Sequence, residues 1–268
     1  MSTIRLAASP MISINSGGSG GIPVLFIHSL AGNAMHWSSQ LEHIRKKRQA
    51  IAIDLRGHGS SEPPKNGEYT IESLADDIDA VVNALGLRRF VLVGHSLGGT
   101  VSIEYASKHP EMVAGLLLAD PSGDARKIPK EQIGPFISSL HSDSYSNVVE
   151  GYWRGLLLGS NPAVQDLILG DLCNTGKETV VGILQSSLQY DPLTPLQRYM
   201  GPKLSVITHL NDTPISLHNL LKDLPFIKVS GTGHWLQMDK PDEFNLILDE
   251  FLSTVERWGD GPREDVRE

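Results

Sequence analysis

The chain has 268 residues, one cysteine, a 40% apolar share, a 20% charged share and a formal net charge of −8. This describes a globular protein that buries a large core without crosslinks. It excludes an intramolecular disulfide and any multi-cysteine zinc or iron–sulfur centre, and its acidic balance argues against nonspecific binding to nucleic acid.

No apolar run approaches the ~18 residues of a membrane span, so no membrane partner is expected. The opening MSTIRLAASP has no apolar stretch and does not read as a signal peptide. The single Cys173 suits a reducing, cytoplasmic setting.

In chain order, Ile12–Ile14 reads as a short strand before the Gly/Ser turn Ser16–Gly21. Val24–Ile27 and Ala50–Ile53 are continuous apolar runs, the pattern of buried parallel strands. Between them, His36–Lys47 can form a helix carrying Trp37, Leu41 and Ile44 on one face. Thr70–Leu85 is a clearer helix with the stripe Ile71, Leu74, Ile78, Val81, Val82 and Leu85, closed by Gly86; Ser73 stands where a capping box would have Glu. Phe90–Val93 is a strand, Leu97–Lys108 a helix stopped by His109-Pro110, and Ala114–Ala119 another buried strand.

From Pro121 to Met200 the rhythm breaks into helical stretches such as Ser144–Leu158 and Glu178–Gln189 among prolines, which reads as a helical insertion. Strands resume at Lys203–Thr208 and Phe226–Val229. A last helix covers Pro241–Trp258, and the polar tail Gly259–Glu268 is expected to fray. Strands alternating with helices predict an α/β fold, a parallel sheet with helices on both faces. In such sheets the functional residues lie just beyond the carboxyl ends of the strands.

One strand end reads Gly94-His95-Ser96-Leu97-Gly98-Gly99, followed by a helix. Gly-x-Ser-x-Gly between strand and helix makes a turn so sharp that the central hydroxyl stands clear. The spacing alone is weak, since Gly17-Gly18-Ser19-Gly20-Gly21 also fits it, but that copy has no helix behind it. Ser96 is therefore the candidate nucleophile. It opens a helix, so the free Leu97 N–H can face a developing negative charge.

A serine nucleophile needs a base, and in this architecture chain order runs Ser, then acid, then His. Of His109, His141, His209, His218 and His234, the last sits in Ser230-Gly-Thr-Gly-His234-Trp235, just after a strand, and is the candidate base. Two strand-end carboxylates could orient it: Asp212, which is preferred, and Asp120. Asp54, ahead of Ser96, is expected to hydrogen-bond with Arg56.

These stretches, with Phe26-Ile-His28-Ser29-Leu30-Ala-Gly32 and Asp54-Leu-Arg56-Gly57-His58-Gly59, resemble the α/β-hydrolase fold superfamily, in particular its capped esterase and lactonase branch. The resemblance implies a mostly parallel eight-stranded sheet with a helical cap inserted after the sixth strand. It divides the chain into a core, 1–121 and 201–268, and a cap, 122–200. It also implies an oxyanion hole from the Leu30 and Leu97 amides. Two departures stand out. Ser29 replaces the family's glycine, so either the loop avoids positive φ or the hydroxyl has a polar use of its own. His209 replaces the glycine that usually opens the acid loop.

The expected chemistry is acyl transfer to water, without metal or cofactor, on a small-molecule ester or lactone, by a monomer or homodimer. Ser29, Trp153 and Trp235 are candidate substrate contacts, and Tyr145, Trp37 and Met35 further wall candidates. Alternatives on the same residues are a C–C hydrolase, a lyase, a haloperoxidase-like enzyme and a small-molecule sensor. A C–C hydrolase of a carboxylate substrate would need a basic pocket, for which Arg154 and Arg198 are the cap candidates.

Overall fold

The apolar runs pair side by side as their composition predicts. In a computed structural model describing residues 2–4 and 10–259, eight strands form one sheet in the order β1-β2-β4-β3-β5-β6-β7-β8. They are β1 Ser2–Ile4, β2 Ile12–Gly17, β3 Val24–Ile27, β4 Ala50–Ile53, β5 Phe90–His95, β6 Val113–Ala119, β7 Lys203–Ile207 and β8 Phe226–Lys228. β1 and β2 run antiparallel at one edge, and β3 to β8 are all parallel. β1 was not read from the sequence pattern. The tail expected to fray lies, beyond Gly259, outside the described residues, as do most of the N-terminal residues examined for a signal sequence. No helix among the described residues is long and apolar enough to cross a membrane.

Helices cover both faces. α1 (Ser38–Ile44) and α11 (Pro241–Gly259) pack on one, and Gly115 of β6 lets Val255 and Phe251 close onto the strand where a β-carbon would collide. α2 (Ile71–Leu85) and α3 (Leu97–Lys108) pack on the other. Ile71, Leu74, Ile78, Val81 and Val82 of α2 are fully buried, each stabilising the fold by about 2 kcal/mol. Thr70 caps α2, its hydroxyl accepting from the Ser73 N–H at 3.1 Å, and Gly86 ends it at φ +64°. The helix expected over His36–Lys47 is a 3₁₀ turn, Ala34–Trp37, capped by Asn33 and continued by α1, with Trp37, Leu41 and Ile44 buried as the pattern requires.

Between β6 and β7 lie five helices, α4 (Lys130–Leu140), α5 (Tyr145–Leu156), α6 (Pro162–Asn174), α7 (Lys177–Gln189) and α8 (Leu193–Arg198). α6 was not read from the sequence because Pro162 looks like a breaker. It occupies the first turn of the helix, where its missing N–H loses no bond.

Asp54 and Arg56 do not pair with each other, contrary to expectation. Asp54 accepts from the amides of Ala34 (2.7 Å) and Ser60 (2.9 Å), tying the turn after β4 to the loop after β3. Arg56 forms a buried bidentate pair with Asp77 of α2, at 2.6 and 2.7 Å.

Candidate active site

β5 delivers Ser96 to the carboxyl edge of the sheet. Its backbone sits at φ +52°, ψ −114°, a conformation that L-residues adopt only under about 1–3 kcal/mol of strain. The flanking glycines are steric necessities. A β-carbon on Gly94 would run into the Gly98 carbonyl, and one on Gly98 into the carbonyls of Ile27 and His28. Ser96 precedes α3 without capping it, so its hydroxyl is not spent on the helix. Leu97 opens that helix, so its amide has no acceptor inside it.

The loop after β3 approaches from the other side. The Leu55 N–H donates to His28 Nε2 at 2.9 Å, so that nitrogen is bare and Nδ1–H donates to the Ser29 carbonyl at 2.6 Å. Burial, reinforced by the nearby His36, pushes the His28 imidazole down to about 3 despite the bond to the Ser29 carbonyl, so it stays neutral and holds the loop as a fixed strut. The positive φ falls on Ala31 (+56°) and not on Ser29. That is how this loop accommodates serine in place of glycine. The Ser29 hydroxyl is buried without a hydrogen-bond partner.

His234 follows β8, 7% exposed, and is held at three points. Its Nδ1 lies 2.5 Å from Asp120 Oδ2, its N–H donates to the Leu156 carbonyl of α5 at 3.0 Å, and its carbonyl is 2.9 Å from His95 Nε2. The carboxylate accepts, so Nδ1 carries the proton and Nε2 is left bare. Asp120, fully buried at the end of β6, also accepts from the Thr208 amide (2.7 Å) and hydroxyl (3.0 Å). The strand end of β7 thus fixes the carboxylate.

This corrects the preference for Asp212. Asp212 lies past β7 in a turn facing β8, where it accepts from Lys228 Nζ at 2.7 Å, His218 Nε2 at 3.2 Å and Asn219 Nδ2 at 3.3 Å. The Lys228 contact, followed by His218 and Asn219, lowers its carboxyl to about 2. The local sequence criterion, a carboxylate just past a strand, fits both residues. Only the Asp120 carboxylate points at the imidazole.

Ser96, Asp120 and His234 line one cavity of about 290 Å³, together with Leu30 and Leu97. Ser29, Trp153 and Trp235 line it too. Tyr145, Trp37 and Met35 do not: Trp37 packs in the core against Phe26, Met35 is 46% exposed, and Tyr145 lies under Lys177. The sequence reading missed Leu184, Ser187 and Leu188 of α7, whose i, i+3, i+4 spacing marks one helix face, and Tyr190 beyond it. The helical segment therefore roofs the cavity. Arg154 pairs with Glu150 and, like Arg198, is not among the lining residues.

A family model described as alpha/beta hydrolase fold matches residues 22–151. Mouse sn-1-specific diacylglycerol lipase ABHD11 is 26% identical over 250 residues, covering 86% of this chain and 80% of that protein. Mouse epoxide hydrolase 3 is 27% identical over 291 residues, covering 94% and 78%. The solved structure of Est816, described as an N-acyl homoserine lactone degrading enzyme, superposes with a TM-score of 0.81 at 24% identity over 93% of this chain and all of that one. The strand order, the glycine-flanked turn at Ser96 and these matches agree: the chain has the α/β-hydrolase fold.

Proposed function

We propose that the protein hydrolyses neutral carboxylic esters or lactones with small to medium acyl groups through a Ser96–His234–Asp120 triad. The observation that carries this reading is the buried 2.5 Å Asp120–His234 contact, which leaves a bare imidazole nitrogen in the cavity that holds the strained Ser96. His234 Nε2 takes the Ser96 proton as the oxygen attacks the carbonyl carbon. The carbonyl oxygen becomes an oxyanion that the Leu30 and Leu97 amides receive. Its collapse expels the alcohol, to which the His234 imidazolium returns the proton. Water, deprotonated by His234, then attacks the acyl-enzyme; the acyl–Ser96 bond breaks, the acid leaves and the imidazolium returns the proton to the Ser96 oxygen. Asp120 holds the proton-bearing Nδ1 and stabilises the imidazolium.

Two features favour a neutral acyl substrate over the alternatives. No Lys or Arg is among the described residues lining the cavity, so an anionic substrate would lack a counter-charge. The elbow residue is a hydroxyl. A serine that opened an epoxide would form an ether that water does not cleave, whereas attack on an ester or lactone gives an acyl-enzyme that water does cleave. This separates the proposal from epoxide hydrolysis despite the likeness to epoxide hydrolase 3. The Ser29 hydroxyl, unpaired beside Leu30, is assigned an additional polar contact to the oxyanion.

The test is a panel of p-nitrophenyl esters from acetate to octanoate, with γ- and δ-lactones, on wild type and Ser96→Ala, with mass-spectrometric trapping of the acyl-enzyme. Turnover lost in Ser96→Ala and an adduct on the Ser96 peptide are expected. Wild-type turnover by Ser96→Ala would reject the mechanism.

A further inference from the structure

His95 ends β5 immediately before Ser96, is fully buried and is given no role in the acyl-transfer chemistry above. Its surroundings assign it one. A carbonyl only accepts, so the 2.9 Å contact between His95 Nε2 and the His234 carbonyl puts the proton on Nε2. Nδ1 is then bare and accepts from Gln237 Nε2 at 3.3 Å. Gln237 lies in α10 (Leu236–Asp239), three residues beyond His234, and its own carbonyl is tied to α1 through Gln40 Nε2 at 3.2 Å. The His95 ring also packs on the His234 ring, centroids 4.7 Å apart, and meets Trp235 edge-on at 5.9 Å.

We propose that His95 is a positioning residue: its Nε2–H pins the main chain of His234, so the strand that carries the nucleophile also sets the place of the base. The inference rests on the reading of Ser96 and His234 as nucleophile and base. Asp120 fixes one end of the His234 ring and Leu156 its amide, but neither holds the carbonyl side of the residue. Without the His95 donor the loop can rotate about the Asp120 contact, carrying Nε2 off the Ser96 oxygen. Displacements of about 1 Å in such a geometry reduce rates by as much as 10²-fold. A neutral donor suits this place, because His234 becomes cationic during turnover. Burial, with the neighbouring His234 adding to it, holds the His95 imidazole well below its ordinary range and so uncharged.

The experiment compares His95→Leu, which keeps bulk but has no donor, with His95→Gln, whose amide can reach the same carbonyl. It uses p-nitrophenyl butyrate, full pH profiles of kcat and kcat/KM, and the downfield ¹H resonance of His234 Nδ1–H. His95→Leu is expected to lower kcat by about 10- to 100-fold with KM within about twofold, to move the acid limb of the profile and to broaden the resonance. His95→Gln restores kcat to within about fivefold and recovers the sharp resonance. If His95→Leu does not fold, Gln237→Leu, which frees the ring at Nδ1, takes its place, with a kcat loss of about three- to tenfold and the same moved limb. Unchanged kcat, limb and resonance in the folded variant overturn the proposal. Ser96→Ala is measured alongside. If it is inactive while His95→Leu behaves as wild type, the positioning role alone fails; if it retains turnover, the underlying assignment of nucleophile and base fails.

Discussion

Gly233, the residue before His234, packs against the Ser160 side chain with no room between them for a β-carbon. The loop carrying His234 is thereby fitted to the stretch between α5 and α6. Asp239 reinforces the fit, accepting from Thr232 Oγ1 (2.8 Å), the Gly233 amide (3.2 Å) and the Asn161 amide (2.8 Å). Gly233→Ala should destabilise by about 1–3 kcal/mol and lower kcat, because overpacking pushes the loop away from α5. Ser160→Ala should be nearly silent, since its hydroxyl is already unpaired, and should relieve the Gly233→Ala defect in the double variant. A double-mutant cycle by urea denaturation checks this; strictly additive effects would contradict it.

The two strand-end carboxylates should separate sharply. Asp120→Asn is expected to reduce kcat by about 10³- to 10⁴-fold while leaving ester binding intact, because the wrong imidazole tautomer would face Ser96. Asp212→Asn, which weakens only contacts with Lys228, His218 and Asn219 away from the cavity, should stay within about twofold of wild type. Steady-state kinetics on one p-nitrophenyl ester decide between them, and the reverse ranking would rule out the assignment of Asp120.

Ser29 gives a third measurement. Ser29→Ala should lower kcat by about tenfold with little change in KM if its hydroxyl meets the oxyanion only in the transition state. Ser29 does not adopt positive φ, so Ser29→Gly should destabilise by about 0.5–1 kcal/mol through backbone entropy rather than relieve strain. Equal kinetics for wild type and Ser29→Ala would remove the hydroxyl from the mechanism.

Buried neutral histidines set the pH dependence of stability. Burial, with smaller contributions from His36 at His28 and from His28 at His58, lowers both from 6.5 to about 3. Between those values the unfolded chain binds protons that the folded chain does not. Stability is therefore complete above 6.5 and declines as pH falls toward 3, by about 1.4 kcal/mol per pH unit for each such histidine. His58 Nδ1 donates to the Arg56 carbonyl at 3.0 Å, a bond an Asn amide can replace. His58→Asn should accordingly show a urea midpoint that falls less steeply with acidification, by one proton. Parallel slopes would count against it.

Much of this protein is legible in local sequence. Leu97–Lys108 has the expected bounds, and the strands at 24–27 and 50–53 likewise, because continuous apolar runs and a proline stop act over a few residues. The helical segment was visible as a change of rhythm, but α6 was hidden by a proline that starts a helix rather than breaking one. The face of α7 that roofs the cavity was overlooked because Ser187 interrupts its apolar spacing.

The sequence by itself determined where Ser96 and His234 stand. Glycine spacing forces the turn at Ser96, and a glycine-rich loop after a strand carries His234 to the same sheet edge. Only the tertiary structure decided which carboxylate meets the imidazole. Asp120 and Asp212 both follow strands that are neighbours in the sheet, so chain order and spacing are satisfied by either. The difference lies between strands: Thr208 at the end of β7 donates twice to Asp120 and fixes it toward His234, while Lys228 on β8 draws Asp212 the other way. Hydrogen bonds between distant segments made that choice, and no local pattern encodes them.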